Sequence, residues 1–405
     1  MSNIYPPVVR GGYEVECRSA VEVLREEHEV VVLTSDLESE GIAPMVGVRR
    51  ELPWVGPRKR DSLRAPGLAV RGARVIERVL DEVRPDLVYV WNGARIPQAV
   101  LRILDRHDVP RAYRVCEHWF GELYRSDQFM RHLYPGDRGV RALWARWARL
   151  VNRRPDLRLK FTPPAPVAIS WNSEFMRSRT TVPPTFTPVL EEMSYPVTPQ
   201  VGRFAALERR PLPDPTIAFV GRLTWEKGPE IAYRALAALD RDHGVRARLV
   251  LAGDVDDEAR ASLARLAGDL GIADRVELRG RLDRDGLGEL LQGAHALVAP
   301  AMWEEPAPMV ALEAAVARVP VVASRVGGIP ELLHDGEHAL LFPMGDVDAC
   351  ATALAETLQQ PEAAAARAER AFARARQFTF ERYAQETREF VAHTMEAFAE
   401  KAPRS

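Results

Sequence analysis

The chain has 405 residues, 46% of them hydrophobic and 28% charged, which is ordinary for a globular protein and long enough for two domains with separate cores. Its 55 Lys and Arg against 57 Asp and Glu leave a net charge of -2, without the basic excess of a polyanion binder, so nucleic acid is excluded as a leading partner. Cys17, Cys116 and Cys350 are scattered, odd in number and lack C-x-x-C spacing, which excludes a cysteine zinc site and fits buried thiols in a reducing compartment. No run approaches the roughly 18 apolar residues of a membrane span and no charged-then-apolar leader opens the chain, so the expected location is the cytoplasm.

In chain order, the β-branched runs "EVVVLT", "DLVYV", "AYRVC" and "PVAIS" alternate with amphipathic stretches. A second set follows: "TIAFV", "ARLVL", "RVELRG", "HALVAP" and "PVVAS". This alternation predicts an α/β fold with two parallel sheets covered by helices. Residues 195–215, "YPVTPQVGRFAALERRPLPDP", carry five prolines without clean periodicity and are read as the linker. The predicted domains are 1–198, 199–375 and a C-terminal helix, 376–405, packed back on the first domain.

The second domain opens "TIAFVGRLTWEKGPEIAYRAL", a strand, a loop and a helix beginning near Pro229. A strand running into a helix N-terminus offers free backbone N–H groups to an anion, and Arg222 and Lys227 add two charges to that loop, as a diphosphate clamp would require. The alternative is two solvated surface cations. No G-x-G-x-x-G occurs at either first strand, which removes the main support for a dinucleotide oxidoreductase. "GDVDD", Asp254 to Asp257, contains a D-x-D, but it lies between a strand and a helix, where capping explains its acids without a metal.

"EEPAPMVALEA", residues 304 to 314, sets Glu305 and Glu313 eight positions apart. If Pro308 opens a helix running through Ala317, eight residues span roughly 12 Å. That exceeds the roughly 5 to 9.5 Å between the carboxyls of a glycosidase, so the two cannot flank one scissile bond. They could hold opposite ends of a long ligand, or simply be solvated helix glutamates.

"FVGRL..EKG", Glu305 and Glu313 as E-x7-E, "PVVAS..GG.PE" and "YPP...GG" near the start together resemble the retaining glycosyltransferases of family 4, best from 216 to 346. The resemblance implies the GT-B fold, two Rossmann-like domains with parallel sheets facing across a cleft. It implies transfer of a sugar from a nucleotide diphosphate sugar to an acceptor without a metal or other cofactor. Arg222 and Lys227 would hold the donor diphosphate, Glu305 the transferred sugar and Glu313 the ribose. His118, at the end of "AYRVCEHWFG", would touch the donor sugar from the first domain. Gly11, Gly12, Gly221, Ala307, Pro308, Met309 and Val310 complete the donor-binding set. Ala307 and Pro308 stand where the family has Phe-Gly, and Arg318 and Ala339 replace usual glycines, which touches donor identity more than fold. The acceptor, whether a sugar, a lipid-linked sugar or a small molecule, is not specified. A nucleotide-sugar epimerase, a phosphorylase, or an inactive nucleotide-sugar-binding module are the competing readings.

Two further expectations concern the first domain. From Arg131 to Lys160 nine Arg or Lys stand against two Asp, with Trp144 and Trp147 among them. This is either a peripheral contact with the inner face of a membrane or a solvated basic face. A first domain of this fold should also begin with a buried apolar strand before "YPP...GG", yet Met1 stands only four residues before Tyr5. The expectation is a start some residues upstream, or else a rudimentary strand from Ser2 to Ile4.

Overall fold

Twelve strands organise the described part of the chain, and in the computed structural model this part comprises residues 1–56, 61–97, 100, 101, 103, 104, 107–122, 164–197 and 201–401. They fall into two compact units, one of residues 1–172, 176–194 and 384–405, the other of residues 173–175 and 195–383. The basic stretch 131–160 lies outside the described residues.

The second unit holds a six-stranded sheet of β7 (Thr216–Val220), β8 (Arg248–Ala252), β9 (Val276–Gly280), β10 (Ala296–Ala299), β11 (Val321–Ser324) and β12 (Leu340–Phe342). Every pairing is parallel, in the order β12-β11-β10-β7-β8-β9. Such a sheet must be covered on both faces, which is why its central strands read as unbroken Val, Leu and Ala runs. Two buried clusters flank it, one around Leu312, Val316 and Ile329, the other around Leu236, Leu251 and Val322. Helix starts follow capping chemistry: Asp256, Asp283 and Asp346 each accept a backbone N–H from three residues on. The order reverses between β7 and β10, and this is the switch point where an open α/β sheet leaves a crevice at its carboxyl edge.

The first unit contains β1 (Val32–Ser35) paired with β2 (Val48–Leu52), and a parallel sheet in the order β3 (Val88–Val90), β4 (Arg111–Val115), β5 (Ala165–Trp171) and β6 (Phe186–Met193). Met1 to Asn3 bridge β1 and β3. Ser2 N–H donates to the Leu33 carbonyl, Asn3 N–H to that of Asn92, and Trp91 N–H to that of Met1. Beside them a cavity of about 500 Å³ is lined by Cys17, Val21, Val31, Leu80, Val88 and Val391 among others. The helix Phe380–Lys401 contributes its residues from 384 onward to this unit, where Phe390 packs on Ala112 and Ala168 with its ring 5.6 Å from that of Tyr89. The buried Arg114 guanidinium donates to Glu16, 2.5 Å away, and to Ser170 Oγ and the Trp171 carbonyl. Among the described residues no helix is long and apolar enough to cross a membrane.

The structure differs from the sequence reading at 195–215 and at Pro308, among other places. The stretch 195–215 is not a free linker: Phe204 is 0% exposed in the second unit's core, and Arg209 donates to the carbonyls of Leu291, Gln292 and Ala294. Burial of that guanidinium lowers its pKa to about 10. Pro308 does not begin the helix but caps it, with φ -76° and ψ 108°, and the helix runs Met309–Val316. An extended ψ at Pro308 sends its carbonyl to the Ala311 N–H, so the first turn is closed by that carbonyl.

Candidate active site

The loop after β7 begins at Gly221, passes Arg222 and a single turn of 3-10 helix, Trp225–Lys227, and reaches Gly228 at φ 68°. Gly228 then caps the helix Pro229–His243, whose first position is proline. A Cβ at residue 228 would lie 1.9 Å from the Pro300 carbonyl oxygen, so only glycine lets this loop pack on the loop after β10. Met302 N–H donates to the Glu226 carbonyl and fastens the two loops together.

This packing brings Lys227 to Glu305. Lys227 Nζ lies 2.6 Å from Oε1 and 2.5 Å from Oε2 of Glu305, and Trp303 Nε1 donates to Oε2 at 3.0 Å. The Glu305 side chain is 11% exposed and that of the lysine 24%. The glycine pair backs the glutamate's peptide. Gly328 N–H donates to the Glu305 carbonyl at 2.9 Å, and Gly327, at φ 56°, passes so near that a Cβ would lie 1.9 Å from the same oxygen. Arg222 is exposed on the same loop as Lys227, and Gly221 lies against the lysine's stem. Ala307, Met309 and Val310 are half-buried at the start of the helix that carries Glu313, also half-buried, while Pro308 is buried.

The remaining predicted residues belong to the first unit. Gly11 caps and Gly12 begins the helix Gly12–Leu24. The buried Glu14 accepts the Gly11 N–H at 2.8 Å, while its other oxygen has no partner among the described residues. Burial raises the Glu14 carboxyl above its usual range, and nearby Glu117 adds to the effect. His118 follows β4, half-buried, and its carbonyl accepts the Glu122 N–H at 3.2 Å. Sequence reasoning gave no role of their own to Trp303, Glu14 or Glu117. The pattern Trp-x-Glu at a loop start was the available signal for the first, and a glutamate three residues after Gly11 for the second.

The acids suspected of metal binding have structural roles. Asp256 caps the helix Asp257–Asp269, and Asp254 lies 3.6 Å from Arg281. Among the described residues His334, Glu337 and His338 bring their side chains together. The His334 N–H donates to His338 Nδ1 at 3.1 Å, which leaves the proton of a neutral ring on Nε2, facing Glu337. In that tautomer neither ring nitrogen of His338 offers a free lone pair, and its 3.6 Å contact with Glu337 joins a neutral ring to a carboxylate.

Residues 205–374 match the family described as glycosyl transferases group 1. Over these residues, less than half of its length, the chain is similar to the group 1 glycosyltransferases. The matched stretch contains Gly221, Arg222, Lys227, Glu305 and Glu313. A D-inositol 3-phosphate glycosyltransferase of Mycolicibacterium paratuberculosis is 42% identical over 166 residues, 40% of this chain and 36% of that relative. One of Streptomyces griseus is 36% identical over 169 residues, again 40% and 36%. The chain thus spans under two-fifths of the length of these curated relatives. Sucrose-phosphate synthase of Thermosynechococcus elongatus superposes with a TM-score of 0.71 at 18% identity, over 96% of this chain and 94% of that one. Anabaena HepE in complex with UDP-glucose gives 0.61 at 17%, over 97% and 100%. WaaG, a glycosyltransferase involved in lipopolysaccharide biosynthesis, gives 0.62 at 18%, over 96% and 98%. The fold is GT-B.

Proposed function

We propose that the chain is a retaining glycosyltransferase that moves a sugar from a nucleotide diphosphate sugar to an acceptor without a metal ion, in the cytoplasm. The observation that carries this reading is the pairing of Lys227 with Glu305 at the switch point of the six-stranded sheet. A cation and a carboxylate meet there where a parallel sheet receives ligands, next to the exposed Arg222.

Departure of the diphosphate develops negative charge. Lys227, Arg222 and the N-terminus of the helix Pro229–His243 stabilise it, the role a metal would otherwise fill. Glu305 contacts the transferred sugar and Glu313 the ribose. The acceptor hydroxyl attacks on the face the phosphate leaves, and the departing phosphate takes its proton, so no side chain has to act as base. His118, Gly11 and Gly12 are the first unit's proposed contacts with the donor. Because HepE is seen with UDP and with UDP-glucose, uridine donors are the first to test.

The test is a thermal-shift screen of nucleotide sugars, in which a ligand at 100 times its Kd adds about 2.7 kcal/mol. The donor found is then assayed for release of its diphosphate and for the anomeric configuration of the product by NMR. Stabilisation followed by a retained product supports the reading. An inverted product, phosphate as the acceptor, or an epimerised donor contradicts it.

A further inference from the structure

Glu305 accepts from two donors that have different fates once a ligand arrives. Lys227 Nζ grips both carboxylate oxygens, and Trp303 Nε1 reaches Oε2. The second contact is built by a very short turn: Glu305 N–H donates to the Trp303 carbonyl at 2.8 Å, which folds the indole back over the carboxylate. Lys227 Nζ also lies 5.9 Å from the centroid of the Trp303 ring. Trp303 therefore touches both members of the pair, the anion through its N–H and the cation through its face.

Resting on the donor-site reading above, the entry of a diphosphate sets two anions in competition for one ammonium. The diphosphate, with more charge and more acceptor oxygens, draws Lys227 toward itself. Glu305 then remains a largely buried carboxylate that has lost its cation, and such a group keeps its place only with another donor. We infer that Trp303 is a positioning residue: its indole N–H holds the Glu305 carboxylate toward the transferred sugar after the diphosphate has taken Lys227. Glu305, for its part, competes with the diphosphate, so removing its charge frees Lys227 and tightens the binding of free nucleoside diphosphate.

The experiment uses the full chain as wild type, Trp303→Phe, Glu305→Ala and the double variant. UDP, ADP, GDP, CDP and dTDP are titrated by calorimetry, and slow hydrolysis of the corresponding glucose conjugates is followed as turnover. Expected for Trp303→Phe is nucleoside diphosphate affinity within about 2-fold of wild type, with turnover lowered about 10-fold, the weight of one hydrogen bond to a charged group. Glu305→Ala should bind the diphosphate several-fold more tightly. In the Glu305→Ala background, adding Trp303→Phe should change the residual turnover less than about 2-fold, because the tryptophan acts through the glutamate. Trp303→Gln, which returns an N–H donor at similar reach, should recover most of the turnover and serves if the Phe variant fails to fold. Equal losses from Trp303→Phe in both backgrounds, or no recovery with Gln, overturn the positioning role and leave the donor site standing. No binding of any of the five diphosphates to wild type overturns both.

Discussion

Lys227 and Glu305 stand 78 residues apart in the chain, yet the ammonium lies 2.6 and 2.5 Å from the two carboxylate oxygens. The contact exists because β7 and β10 are neighbours in the sheet although β8 and β9 intervene in sequence. On the proposed reading it sets a cation for a leaving diphosphate against a carboxylate for the sugar at the carboxyl edge of the sheet.

Glu305 and Glu313 should fail differently. Glu305→Gln should lose mainly turnover, about 10- to 100-fold, because on the proposed reading it contacts the reacting sugar. Glu313→Gln should raise the KM for the donor several-fold with a smaller change in kcat, because the proposed ribose contact would be the same in ground and transition states. Steady-state kinetics on the donor separate the two, and identical losses would refute the division.

Gly327→Ala tests the backing of the glutamate. A Cβ there would lie 1.9 Å from the Glu305 carbonyl oxygen at φ 56°, so the peptide carrying Glu305 must shift. Stability should fall by more than about 2 kcal/mol and turnover by at least about 10-fold. Gly336→Ala, also at positive φ but with open space around it, should cost about 1 kcal/mol and leave turnover intact. Denaturant titration and donor hydrolysis measured on both variants compare them.

Most strands legible in the sequence were buried ones, such as β8 and β11, where Leu, Val and Ala run without interruption, although the edge strand β9 with Glu277 and Arg279 was legible too. The strands missed lie at sheet edges. β2 carries Arg49, Arg50 and Glu51, β6 carries Pro188, and β12 is three residues long, and each of these hides the apolar pattern by which a strand is recognised. The proposed site residues Arg222, Lys227, Glu305 and Glu313 could be singled out from spacing and resemblance. Trp303 could not, because its role depends on a turn that aims the indole N–H and on a lysine arriving from another loop.

Glu16→Ala should destabilise the protein by about 3 to 5 kcal/mol, since it strips the carboxylate from a buried guanidinium, Arg114, that cannot reach water. Urea denaturation measures this loss. A loss below about 1 kcal/mol would mean that Ser170 and the Trp171 carbonyl suffice for Arg114.

His393 makes stability depend on pH. Its Nδ1 lies 2.8 Å from Glu192 Oε1, and the hydrogen bond to that carboxylate raises the imidazole above its usual 6.5. A raised value means the contribution is fully present below pH 6.5 and is lost as pH climbs through the folded-state value. His393→Ala should therefore lower the unfolding free energy in urea at pH 5.5 more than at pH 8.5, by less than about 1 kcal/mol because the pair is exposed. An equal change at both pH values would remove the ion pair from the stability of this helix.

Asp254 and Asp256 should be dispensable for chemistry. Asp256→Ala is expected to cost about 1 kcal/mol through its helix cap, with turnover unchanged and no effect of EDTA on the wild type. An absolute requirement for a divalent ion would return both aspartates to the reaction.

The most direct measurement is the calorimetric Kd of the donor's nucleoside diphosphate for the wild type and for Lys227→Ala, with Arg222→Ala alongside. Charge-assisted bonds to phosphate contribute about 1.5 to 3 kcal/mol, so Lys227→Ala should weaken the complex about 10- to 150-fold and Arg222→Ala should weaken it as well. An affinity unchanged in both variants would contradict a diphosphate at the Lys227–Glu305 pair.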